Sequence, residues 1–182
     1  MARAPSPQIS QLLAFVDAAY DHRSWHGPNL RGSLRGVTPM QAAWRPEPKR
    51  HNIWELAVHA AYWKYVAVRR LTGARRGSFT LKGSNWFERD AGGTVTEWRA
   101  DLELLEHSHR TFRDVVANLT PRDLPRKPVG AEFDTFGLVS GVAAHDLYHA
   151  GQIQLVKRLM RTSNAELRTE PEHEPRSENR EV

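Results

Sequence analysis

The chain has 182 residues, 40% hydrophobic and 26% charged, which fits one soluble globular domain with a tail. No apolar run approaches bilayer length, and the opening Met1-Ala-Arg-Ala-Pro-Ser-Pro7 lacks the apolar core of a secretory signal, so the cytoplasm is the expected location. With no cysteine, disulfides, thiolate metal sites and a cysteine nucleophile are excluded; the net charge of +5 reads as a solvated surface, because most Lys and Arg residues are interspersed with acidic ones.

The first predicted helix runs from about Pro7 to His22, with Ile9, Leu12, Val16 and Ala19 in one stripe and Leu13 and Tyr20 beside it. Gly27 and Pro28 break the chain into a loop. Thr38, followed by Pro39 and Gln41, reads as the cap of a short helix, which the Arg45-Pro-Glu-Pro48 segment stops. Asn52 and Glu55 have capping-box spacing and open a second long helix that ends near Gly73. Its inward stripe is Leu56, His59, Trp63 and Val66. Arg69, Arg70, Arg75 and Arg76 gather at its end, where cations complement the helix dipole.

Residues 74–93 form a glycine-rich connection, with a short hairpin or irregular insert at Ser78-Phe-Thr-Leu81. Thr94 and Glu97 make a capping box for the third long helix, whose seam is Trp98, Leu102, Leu105, His109, Phe112, Val116 and Leu119. Thr120-Pro-Arg-Asp123 is a short capped turn, and Pro125, Pro128 and Gly130 mark a loop. Thr135 is the predicted cap of the fourth long helix, which ends near Arg161. The predicted fold is therefore an all-α four-helix bundle with long connections, over residues 1–161. Residues 162–182 are polar and are expected to be a disordered tail.

The fourth helix carries the chemistry. Leu138, Val142, His145, His149, Ile153, Val156 and Met160 lie on one helical stripe, and five of these seven are apolar. Buried imidazoles need partners, and two of them one turn apart can share a divalent metal. The same i, i+4 geometry underlies the HExxH motif of zinc proteases. Here Asp146 stands in place of the glutamate, with a side chain one methylene shorter. No third protease ligand is evident downstream, since His173 lies in the polar tail, so a protease is not favoured. His59 on the second helix is the predicted third ligand. Three neutral imidazoles would suit zinc, nickel or iron(II) and leave a position open. His109 also occupies a seam position. It is a fourth ligand, a hydrogen-bond partner of a ligand, or a core histidine, the last two being favoured. His26, in the loop, lines a pocket or caps a helix. Tyr148 donates to a substrate or packs, and Trp54, Trp63 and Trp86 are read as packing residues.

Several blocks together resemble the DinB-like (DinB/YfiT) superfamily of metal-dependent four-helix-bundle proteins. They are Trp25-His26-Gly27-Pro28, Ile53-Trp54-Glu55-Leu56 with His59, Trp63, Arg70-Leu71-Thr72-Gly73, and Gly141 to Ile153 with its His145 and His149. The resemblance spans about residues 8–160, and His59, His145 and His149 match the family's metal triad. It implies a bundle with an unusual helix order, a divalent metal near one end, and a homodimer. Relatives include thiol transferases that use bacillithiol or mycothiol, and a mycothiol-dependent maleylpyruvate isomerase. The expectation is thus a metal-dependent enzyme, such as a low-molecular-weight-thiol S-transferase, with Asp146, Tyr148 and His26 orienting substrate or relaying protons. The alternatives are a metal-dependent hydrolase and a non-catalytic, metal-stabilised stress-response bundle. Binding to nucleic acid through the basic face is a weaker third idea, and no membrane contact is expected.

Overall fold

The computed structural model describes residues 4–77, 79–89 and 92–169, with side chains through Ser163. Its helices are α1 (Pro7–Tyr20), α2 (Leu30–Leu34), α3 (Pro39–Ala43), α4 (Ile53–Thr72), α5 (Val95–Ala117) and α6 (Thr135–Thr169). No strand occurs among the described residues, and none of the helices there is long and apolar enough to cross a membrane.

Local chemistry sets most of the helix starts. Thr38 and Thr94 form complete capping boxes with Gln41 and Glu97, which satisfy donors that the first turn leaves free. Asn52 caps α4 by accepting from the Glu55 amide at 2.8 Å, but the Glu55 side chain does not complete the box. That carboxylate is buried and binds Arg45, His51 and the Arg89 amide instead. The strongest correction is at α6, where the cap is Asp134 rather than Thr135. Gly137 N–H donates to Asp134 Oδ1 at 2.7 Å, while the Thr135 hydroxyl donates to the Arg126 carbonyl at 3.0 Å.

Two further differences from the sequence expectation concern α2 and α6, while the connection after α4 takes one of the two forms expected. α2 begins just after the Gly27–Pro28 loop, capped by Asn29, whose Oδ1 accepts from the Gly32 amide at 2.7 Å. The connection after α4 is irregular, with no hairpin among its described residues; Ser78 lies outside them. α6 continues past Arg161 to Thr169, so residues 162–169 of the expected tail are helical; the rest of that tail, with His173, lies outside the described residues.

α4 packs against α5 and α6, and α1 packs against the same two helices; α2 rests on α1 and α6, and α3 on α4. One apolar cluster joins Leu30, Ile53, Trp54, Leu105 and Ile153, and another joins Ile9, Val16, Phe112, Val116 and Val139. Each such fully buried aliphatic or aromatic side chain stabilises by roughly 1.5–3 kcal/mol. Polar ties fix the register: Asp17 and Arg113 form a two-point pair at 2.7 and 2.9 Å between α1 and α5. Lys157 on α6 donates to the Ser33 carbonyl of α2 at 3.0 Å. These contacts hold the facing stripes of α4 and α6 in place, and the histidines lie on those stripes.

Candidate metal centre

His59 projects from α4 toward His145 and His149 of α6. Its Nε2 lies 3.1 Å from His145 Nε2, which lies 2.9 Å from His149 Nε2. His59 and His149 are 5% and 3% exposed, and His145 is half-buried. The other ring nitrogens decide which atoms are free. His59 Nδ1 donates to the Asn85 carbonyl at 2.8 Å; a carbonyl can only accept, so its Nε2 carries a lone pair. His149 Nδ1 donates to Gln152 Oε1 at 2.6 Å, with the same consequence.

His145 is held between these two lone pairs, and its own Nδ1 is buried with no partner. A proton on its Nε2 would serve two acceptors at once. A proton on Nδ1 would leave three lone pairs facing one another. Gaining a second proton is disfavoured: burial, with the neighbouring imidazoles and Lys64, brings the His145 pKa down to about 3. Burial also lowers His149 to about 4, against the opposing Gln152 bond, and lowers His59. The lone pairs of His59 and His149 thus turn toward His145 Nε2, and a divalent cation at that point would suit three neutral imidazoles. Their separations are of the size, roughly 3 Å, that nitrogen ligands show around one ion with bonds of about 2.0–2.1 Å. Zinc, nickel and iron(II) all accept such a donor set.

Neighbouring residues hold these rings. Trp86 is sandwiched between His51, at a ring distance of 3.5 Å, and His59, at 3.8 Å. His51 is in turn bonded through Nδ1 to Glu55 at 3.0 Å, so a chain from Glu55 to His59 fixes one ligand plane. Asn85 has a left-handed backbone, φ +66°, which asparagine tolerates, and its side chain accepts from Trp63 Nε1 at 3.0 Å. Gln152 donates to the Tyr148 hydroxyl at 3.2 Å while it accepts from His149.

Two clefts reach the cluster. One, of about 930 Å³, runs between α4 and α6 and is lined by His59, Trp63, Val66, Leu138, Val142 and His145, with Arg70 at its side. The other, of about 520 Å³, exposes His149 beside Trp86, Tyr148 and Gln152. A third groove, of about 650 Å³, lies near Tyr20, Arg31 and Glu106 and has none of the three histidines in its lining.

Of the remaining predicted residues, Tyr148 borders the cluster and the others lie elsewhere or face away. Asp146 does not turn to the three histidines: it is 2% exposed and forms a buried ion pair with Lys64 of α4. The helix places residue 146 about 100° around the axis from His145, onto the face that meets Lys64. Tyr148 is 63% exposed, close to His149, and lines the smaller cleft. His26 is exposed in the loop before α2, and the hydrogen bonds and ring contacts of the three histidines do not include it. His109 is a core histidine stacked on Tyr20 at 3.6 Å, outside the cluster.

Asn85, Gln152, His51, Lys64 and Arg70 were not recognised in the sequence as parts of the site or its surroundings. Gln152 could have been found, since it stands one turn after His149. Trp86 was read as packing; it packs, and its packing partner is a ligand candidate.

A family model described as the DinB superfamily matches residues 23–153, which takes in α2 to α5 and most of α6. No curated protein and no solved structure matches the chain.

Proposed function

The chain belongs to the DinB superfamily, and from that premise we propose that it is a divalent-metal-dependent enzyme acting on a small electrophilic substrate with a low-molecular-weight thiol such as bacillithiol or mycothiol. The four long helices are read as the superfamily's bundle, and a cytoplasmic homodimer as its working form. One observation carries the proposal: the Nε2 atoms of three histidines converge where a cleft opens. A bound ion there would lower the pKa of a thiol or water, so that the nucleophile forms near neutral pH.

The chain's own residues supply the rest. Asn85 and Gln152 fix the ring tautomers through Nδ1 and so keep Nε2 available. Trp86 and Trp63 shield the His59 ring from water. Tyr148, through Gln152, is the side chain placed to pass a proton or orient a group near His149. Asp146 and His26 are given no part, the first because its carboxylate is committed to Lys64. The absence of cysteine fits a thiol that arrives as co-substrate. A closed structural site is disfavoured because His109, the one candidate fourth ligand, stacks on Tyr20 instead.

The test is metal analysis of the full chain purified without a histidine tag, paired with bacillithiol- and mycothiol-dependent conjugation of 1-chloro-2,4-dinitrobenzene. The expected result is one equivalent of metal and thiol-dependent turnover, both lost in His149→Ala. Undiminished turnover in His149→Ala would overturn the metal's role. A metal-loaded protein without thiol-dependent turnover would instead favour the hydrolase or the non-catalytic bundle.

A further inference from the structure

Arg70 stands on the same face of α4 as His59, Trp63 and Val66, spaced four, three and four residues apart. It lines the cleft that contains His59 and His145. Its Nε is buried and has no hydrogen-bond partner, and no carboxylate forms an ion pair with its guanidinium among the described residues. Glu132 lines the same cleft but is exposed and makes no ion pair with it. A guanidinium offers only donors, so a buried N–H on the wall of a cleft is satisfied by an acceptor that enters it. Between Arg70 and the histidines the walls are apolar: Val66, Ala67, Leu138 and Val142.

Resting on the proposed metal-dependent activity, we propose that Arg70 is the carboxylate-binding subsite of this cleft, and that the substrate is an amphiphile with an apolar body and a carboxylate at the end away from its reacting group. The Nε and one Nη of a guanidinium form a fork that matches the two oxygens of a carboxylate. The eleven residues from His59 to Arg70 span about 16 Å of helix axis, and helical side chains lean toward the N-terminus, which brings the fork back toward the histidines. The carboxylate and the reacting atom therefore sit at opposite ends of an elongated molecule, with the apolar segment between them on Val66 and Leu138. Arg70 is a binding residue here; it takes no part in the bond that forms at the other end.

The experiment measures binding of 4-phenylbutyrate and of its neutral analogue 4-phenylbutyramide to the full chain by calorimetry, metal-free and zinc-loaded, in wild type, Arg70→Gln, Arg70→Lys and His149→Ala. The acid is expected to bind metal-free wild type about tenfold or more tighter than the amide, as one charge-assisted pair implies. Arg70→Gln should abolish that difference, Arg70→Lys should keep part of it, and His149→Ala should keep it in full. Thermal melting of each variant checks that the fold is intact. Equal binding of acid and amide to wild type, or an undiminished preference in Arg70→Gln, would overturn the subsite. A preference that needs zinc and disappears in His149→Ala would also overturn it, by placing the carboxylate on the ion while the metal reading stands. Discrimination by Arg70 in a protein that takes up no metal would support the subsite and sink the metal reading alone.

Discussion

Burial keeps the His109 ring neutral. It is 3% exposed, its Nδ1 has no partner, and Lys64 and Arg113 add their positive charge to the penalty, so its pKa falls from 6.5 to about 3. A folded-state pKa below the unfolded value means that the unfolded chain binds the extra proton first. Stability from this residue is therefore complete above pH 6.5 and is lost as the pH falls from there toward about 3. His109→Phe keeps an aromatic ring against Tyr20 and removes the titration. Its urea-unfolding free energy should fall less than that of wild type between pH 6.5 and 4; parallel profiles for the two proteins would contradict this. At this scale the three histidines of the candidate centre were legible as core positions, because helical spacing alone puts His59, His145 and His149 on core stripes. Spacing could not separate them from His109, since a stripe shows that a residue is buried and says nothing of what it meets across the core. Asn85 and Arg70 were illegible for a related reason. The first meets His59 through its backbone carbonyl from a loop, and the second is marked out only by the cleft that α4 and α6 form around it.

Between α4 and α6, Lys64 and Asp146 are 0% and 2% exposed, and their ion pair joins the two helices that carry the histidines. Burial pushes Lys64 down and Asp146 up, against the mutual attraction of the two charges. Removing one partner leaves the other uncompensated in the core, which typically costs about 3–5 kcal/mol, whereas replacing both with apolar groups of similar size is often neutral. Lys64→Met and Asp146→Leu should each lower stability by about that much, and the double variant by far less than their sum. Additive losses in denaturant titrations would show that the pair does not act as a unit. The elements were mostly readable where caps are local, as with Thr38 and Thr94, whose partners lie three residues away. They were misread where a competing partner intervened. Glu55 is drawn to Arg45 and His51, Thr135 to the Arg126 carbonyl, and α6 runs on past Arg161 because no glycine or proline stops it there.

For the whole molecule, the candidate ligands come from two helices that are far apart in sequence and packed against each other. An ion held by both binds the folded chain and not the unfolded one, so it adds stability in proportion to RT ln(1 + [L]/Kd), about 2.7 kcal/mol at a hundredfold excess over Kd. Zinc added to the metal-free chain should raise Tm in a concentration-dependent way, and chelator should reverse the shift. The same titration of His149→Ala should give a much smaller shift, and an equal one would place the ion elsewhere. The all-α class and the family could be recognised from the sequence because patterning and caps agreed along most of the chain. The clefts could not, because a cleft is a property of how α4, α6 and the loop at 130–133 stand together.

Trp86 gives this architecture an optical consequence. An indole held face to face with His59 at a ring distance of 3.8 Å shares its electronic surroundings with a candidate ligand. Whatever draws electron density from that imidazole is felt by the fluorophore on its other side. The protein therefore carries its own spectroscopic window on the site, one in which a closed-shell ion such as zinc and an open-shell one such as nickel or iron would leave different emission.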